Sequence, residues 1–167
     1  MSAEVHPSLV ARVSAHLARR GRVCLRVHGT SMLPWVQPRD IVLVRRTSVD
    51  GARCGDLVLF ARNGRLFVHR VIAKRQFAGS LQVLAKGDAH PHPDAVVGRE
   101  EFLGRVVRIH RRRRRMDLDA PGQLLLGILI ARISAHSHRW YPAARLAARA
   151  ILPLRRALSA FRAASAL

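Results

Sequence analysis

Ser31, His69, Asp88 and Asp94 are the side chains of this sequence whose types and order could combine into hydrolytic chemistry. A serine hydroxyl is a poor nucleophile until a base takes its proton, and the base works best when a third group holds its tautomer. Ser31 stands in Gly29-Thr30-Ser31-Met32-Leu33-Pro34, between β-type runs at 23–28 and 41–44. A serine where a strand breaks into a loop carries its hydroxyl at an edge that substrate can reach. Gly29 permits close backbone approach, and Pro34 and Pro38 stiffen the loop. The same residues equally fit an ordinary turn.

His69 is the leading base. In Phe67-Val68-His69-Arg70-Val71-Ile72 the alternation sets Phe67, His69 and Val71 on one strand face. That position also suits a hydrogen-bonded core histidine. Asp88 and Asp94, six residues apart in Lys86-Gly87-Asp88-Ala89-His90-Pro91-His92-Pro93-Asp94, are the acid candidates, and both also suit turn capping. Lys74 and Lys86 are the only lysines. Lys74, five residues past His69, is expected on the opposite strand face.

These residues need strands to carry them. A short amphipathic helix is expected after Ser8, ending at Gly21, followed by strands at 23–28, 40–46, 56–62, 66–74, 81–86 and 102–110. Asn63-Gly64 is the strongest hairpin signal, and Gly79-Ser80 marks another reversal. Six strands without intervening helices predict a mainly β fold, a curled antiparallel sheet or barrel, α+β overall once the C-terminal helices are counted. After the run Arg111 to Arg115 the composition turns to Ala, Leu and Arg, and helices are expected at 122–137, 143–152 and 154–165. The expected division is a β-rich region with a short N-terminal helix at 1–115 and a basic helical tail at 116–167. Leu124 to Ile130 is apolar all round, so it is expected to be buried in protein or dipped into lipid.

Composition narrows the setting. The 167 residues carry a formal net charge of +20, and residues 105–167 hold 14 Arg against Asp117 and Asp119. Such a field attracts an anionic membrane face or nucleic acid. Trp140 and Tyr141 are the only stacking rings near the basic stretch, so the membrane surface is the expected polyanion and nucleic acid is not. Cys24 and Cys54 have no motif spacing, and no disulfide is expected. His90-x-His92 and His136-x-His138 lack a third ligand at convincing spacing, so neither a metal nor another cofactor is expected. The N-terminus has no signal-peptide core, and the longest uncharged run, Ala120 to Ala131, falls short of the roughly 20 residues of a membrane-spanning helix. A cytoplasmic or peripheral membrane location is expected.

In this order, Gly29-x-Ser31-Met32-x-Pro34, Arg39-Asp40, Gly55-Asp56, His69-Arg70-Val71 and Lys86-Gly87-Asp88 with Asp94 resemble the clan of type I signal peptidases and LexA-type self-cleaving repressors. The histidine in His-Arg-Val resembles the archaeal and endoplasmic-reticulum branch, where His replaces the Lys of the bacterial dyad. The resemblance implies a serine endopeptidase acting on another peptide or protein, with Ser31 as nucleophile, His69 as base and Asp94 as orienting acid. Asp88 would shape the loop or serve as the alternative acid, and Gly29 and Met32 would contact substrate. Neither the N-terminal membrane helix of the signal peptidases nor the DNA-binding domain of the repressors is expected here. Ala78-Gly79 matches the bond that those repressors cut, but is read as a turn. The alternative is a non-catalytic peptidase-like module whose basic tail grips anionic membrane or nucleic acid.

Overall fold

The computed structural model describes residues 7–135. The expected helices at 143–152 and 154–165 lie outside them. Helix α1 (Pro7–Arg20) ends at Gly21, whose φ of 69° and whose amide bond to the Leu17 carbonyl at 2.9 Å close the last turn. Eight strands follow: β1 (Arg22–Arg26), β2 (Ile41–Arg46), β3 (Leu57–Arg62), β4 (Arg65–Phe77), β5 (Ser80–Lys86), β6 (Ala95–Val97), β7 (Phe102–Arg111) and β8 (Arg114–Asp117). Helix α2 spans Pro121–Ala135. The strands form one antiparallel sheet in the order β1-β2-β7-β3-β4-β5-β6, with β8 paired to β7. The mainly β class expected from the turn signals is the class observed.

Strand β3 shows why the sheet holds. Leu57 and Leu59 face one core with Val13, Leu17, Met32, Val36, Val42 and Val44. Val58 and Phe60 face a second core with Val71, Val83, Ala85 and Val97. A strand buried on both faces reads as a continuous apolar run, as Leu57-Val-Leu-Phe60 does. The β3–β4 hairpin turns on Asn63 and Gly64 at φ 51° and 72°, and the β4–β5 hairpin on Ala78 and Gly79 at 48° and 74°. Both pairs have the left-handed backbone that matches strand twist in tight hairpins.

Two boundaries differ from expectation. The arginine run does not end the sheet: Arg112 takes φ 50°, and Arg111 pairs with Arg114 across a hairpin that forms β8. The compact unit then continues through Ala135, so the division expected at 115 falls inside β8. Gly127, Ala131 and Ser134 are the buried residues of α2, and Gly127 abuts Gly55 so closely that a Cβ on Gly55 would stand 2.7 Å from the Gly127 carbonyl carbon. Leu125, Leu129 and Ile133 are exposed. Uniform hydrophobicity in α2 therefore conceals a face of small residues on the sheet and a face of large ones turned away.

Candidate active site

The loop after β1 turns tightly at 31–35, where the Met32 carbonyl accepts from the amides of Trp35 and Val36. It carries Ser31 to the first half of β4. There His69 Nε2 lies 3.2 Å from Ser31 Oγ, within reach of proton transfer. On the other side of the ring, His69 Nδ1 is 3.2 Å from Asp94 Oδ2, without the alignment of a hydrogen bond. Hydroxyl, imidazole and carboxylate thus stand in a row drawn from three segments, 38 and then 25 residues apart.

The loop between β5 and β6 holds the acid in place. The Gly87 amide donates to Asp94 Oδ2 at 2.6 Å, and the Asp94 amide donates to the Ala85 carbonyl at 3.1 Å. The Ala89 amide binds the Ser31 carbonyl at 2.8 Å, tying this loop to the Ser31 turn. Gly87 is the closest point: a Cβ there would stand 2.8 Å from Ser31 O and 3.1 Å from Ser31 Cβ. Only glycine allows that approach.

His69 is buried against Phe60, edge to face at 5.7 Å, and Phe67 at 5.9 Å. Burial pushes its imidazolium below the ordinary value, while the Asp94 carboxylate pulls it back up. A base that stays neutral until a proton is offered at Nε2 is the form a serine needs.

The other candidates are placed differently. Asp88 turns away from His69 and receives Arg70 through both oxygens, at 2.9 Å from Nε and 2.7 Å from Nη2. Arg70 Nη1 also donates to the Gly55 carbonyl at 2.9 Å, so this buried pair braces the seat of α2. Met32 is 2 % exposed in the first core, and its side chain does not face the site opening. Gly29 is exposed, and a Cβ there would meet nothing within 4 Å, so no close backbone approach requires it.

The lysines also correct an expectation. A bulge at Ile72 shifts the register between Val71 and Ala73, which turns Lys74 to the same sheet face as His69. Its ammonium binds the carbonyls of Asp50 and Ala52, at 3.0 and 2.7 Å. Lys86, opposite Arg70 in register, is buried and donates to Ser134 Oγ of α2 at 2.7 Å. Burial pushes its ammonium down, and Asp88 and Asp94 oppose that. Neither Ser134 nor His90 carries a sequence signal as a neighbour of the site; the spacing of His90 and His92 points only to a metal pair. Among the described residues no group of His, Cys, Asp and Glu could hold a metal ion.

The β-rich fold lines up a hydroxyl, an imidazole and a carboxylate, the side-chain types that serine-peptidase chemistry requires. Residues 7–107, well over half of the chain, match the Peptidase S24-like family, and the chain belongs to it. That places it in the wider clan of LexA-like and signal peptidase I-like proteins. No curated protein matches the chain.

Proposed function

We propose that the chain is a serine endopeptidase of the signal-peptidase type that processes another peptide or protein through an acyl-enzyme. The observation that carries this reading is His69 Nε2 at 3.2 Å from Ser31 Oγ, with Asp94 behind the ring. Ser31 attacks the scissile carbonyl while His69 takes the hydroxyl proton. The amides of Ser31 and Met32, which donate to no backbone carbonyl among the described residues, supply oxyanion donors. His69 then gives its proton to the departing amine, and a water, deprotonated by the same imidazole, releases the acyl group. Asp94 is the orienting acid in this scheme, because both oxygens of Asp88 are occupied by Arg70.

Among the described residues strand β1 pairs only with β2, and it leads directly to the Ser31 loop, so its outer edge can accept an extended substrate as an added strand. Small residues before the cut are the preference that kinship with signal peptidases suggests. A library of extended peptides with small residues at that position tests the reading: the wild type cleaves members of it, and Ser31→Ala cleaves none. Cleavage that survives in Ser31→Ala refutes the assignment. The non-catalytic alternative is not favoured by membership of a peptidase family.

The place of action we propose is the surface of an anionic membrane. No helix among the described residues is long and apolar enough to cross one. The net charge of +20, with the exposed Leu125, Leu129 and Ile133 on α2, supports peripheral docking instead. Flotation with anionic but not neutral vesicles is the expected result, and no flotation with either removes this part of the reading.

A further inference from the structure

Asp94 serves two imidazoles. Its Oδ2 lies 3.2 Å from His69 Nδ1, and its Oδ1 lies 2.7 Å from His90 Nδ1. The two rings meet edge to face with centroids 5.9 Å apart. They differ in access to water: the side chain of His69 is 5 % exposed and that of His90 is 44 % exposed. A proton entering this cluster therefore has two addresses at one carboxylate, one dry and one wet. The wet one solvates the charge and holds the shorter contact to the carboxylate, while the dry one does neither.

We propose that His90 is a positioning residue that holds Asp94 against His69 and, when it carries charge, keeps His69 neutral as the medium acidifies. This rests on the reading of His69 as the base. By holding Oδ1, His90 fixes the carboxylate from the solvent side while the Gly87 amide fixes Oδ2 from the chain. The other charges facing the pair are few. Asp88 is already paired with Arg70 of β4, and Lys86 of β5 acts on both Asp88 and Asp94 from beneath. On the side of His69 turned to β3 and to its own strand stand the uncharged rings of Phe60 and Phe67. A charge on His90 pushes His69 further down, in the same direction as burial. The arrangement keeps the base available at lower pH while reducing its strength.

The test is a titration of the histidine imidazoles by NMR in the full-length chain, with pH profiles of Ser31 acylation alongside. In His90→Ala the midpoint of His69 rises by about one unit, since the neighbouring charge is gone. The acid limb of acylation moves with it, which slows the reaction about tenfold on that limb, because one unit of pH is a factor of ten in neutral base. His92→Ala, two residues along the same loop, shifts neither. The proposal is overturned when the midpoint of His69 stays or falls in His90→Ala. The midpoints do not depend on peptidase activity: an unreactive Ser31 would refute the peptidase reading and leave this result standing.

Discussion

Asp94 and Asp88 lie six residues apart in one loop and face opposite sides of the sheet, Asp94 towards His69 and Asp88 onto Arg70. The strand β4 causes this split. His69 and Arg70 are consecutive, so their side chains leave on opposite faces, and each draws its own carboxylate. One acid is left beside the imidazole, while the other neutralises a buried guanidinium.

The two aspartates should therefore fail differently. Asp94→Asn is expected to slow Ser31 acylation about 10⁴-fold with the fold intact, the loss that follows when the orienting carboxylate of a Ser-His-Asp triad becomes an amide. Asp88→Asn strands the Arg70 charge and should cost roughly 3–5 kcal/mol of stability, with acylation per folded molecule retained. Urea unfolding and probe acylation, measured on both variants, separate the two outcomes. A swap of these phenotypes reverses the assignment.

Glycine at 87 is predicted to be needed for the hydroxyl's position. Gly87→Ala presses a methyl into the Ser31 carbonyl and Cβ, and an ångström of displacement costs about 10²-fold in rate. Gly29→Ala, which meets open space, should change stability by no more than about 0.5 kcal/mol. Comparing acylation rate and melting temperature for the first, and melting temperature for the second, checks both statements.

Much of this was legible in the sequence, for identifiable reasons. Asn63-Gly64 and the alternation around His69 are local signals, and local signals gave β3, β4 and their register. The order of Ser31, His69 and Asp94 carried the family resemblance. What stayed hidden is non-local. A bulge at Ile72 reversed the face expected for Lys74, because one extra residue inverts the parity of all that follow. Arg114 and Arg115 form a strand by pairing with β7, not through any apolar pattern of their own. The resemblance implies a substrate contact at Met32, yet the turn directs its side chain into the core. His90 has no sequence signal beyond its neighbour His92. Its role emerges only from Asp94 folding back in the loop.

Acid should weaken the fold through His69. Its folded pKa lies below the ordinary 6.5, so the unfolded chain takes up this proton more readily. The stabilising contribution is full above 6.5 and falls as pH drops from there towards the folded value, below which the slope disappears. Urea midpoints across this window should decline less steeply in His69→Gln than in the wild type. Equal slopes would remove the linkage.

The anchor beneath α2 is open to the same kind of measurement. Ser134→Ala leaves the buried Lys86 ammonium without its hydroxyl acceptor and should cost about 1–3 kcal/mol. Adding Lys86→Met removes the stranded charge and should restore most of that loss, since apolar replacement of buried charge is commonly tolerated. A double variant less stable than Ser134→Ala alone contradicts this account of the anchor.

The central claim is that Ser31 is a nucleophile activated by His69. The direct measurement is covalent labelling of the full-length chain with a serine-directed acylating probe, with the modified residue mapped by mass spectrometry. The account predicts label on Ser31 in the wild type, none in Ser31→Ala, and labelling slowed by several orders of magnitude in His69→Ala. Label on another serine, or equal labelling of Ser31 with and without His69, contradicts it.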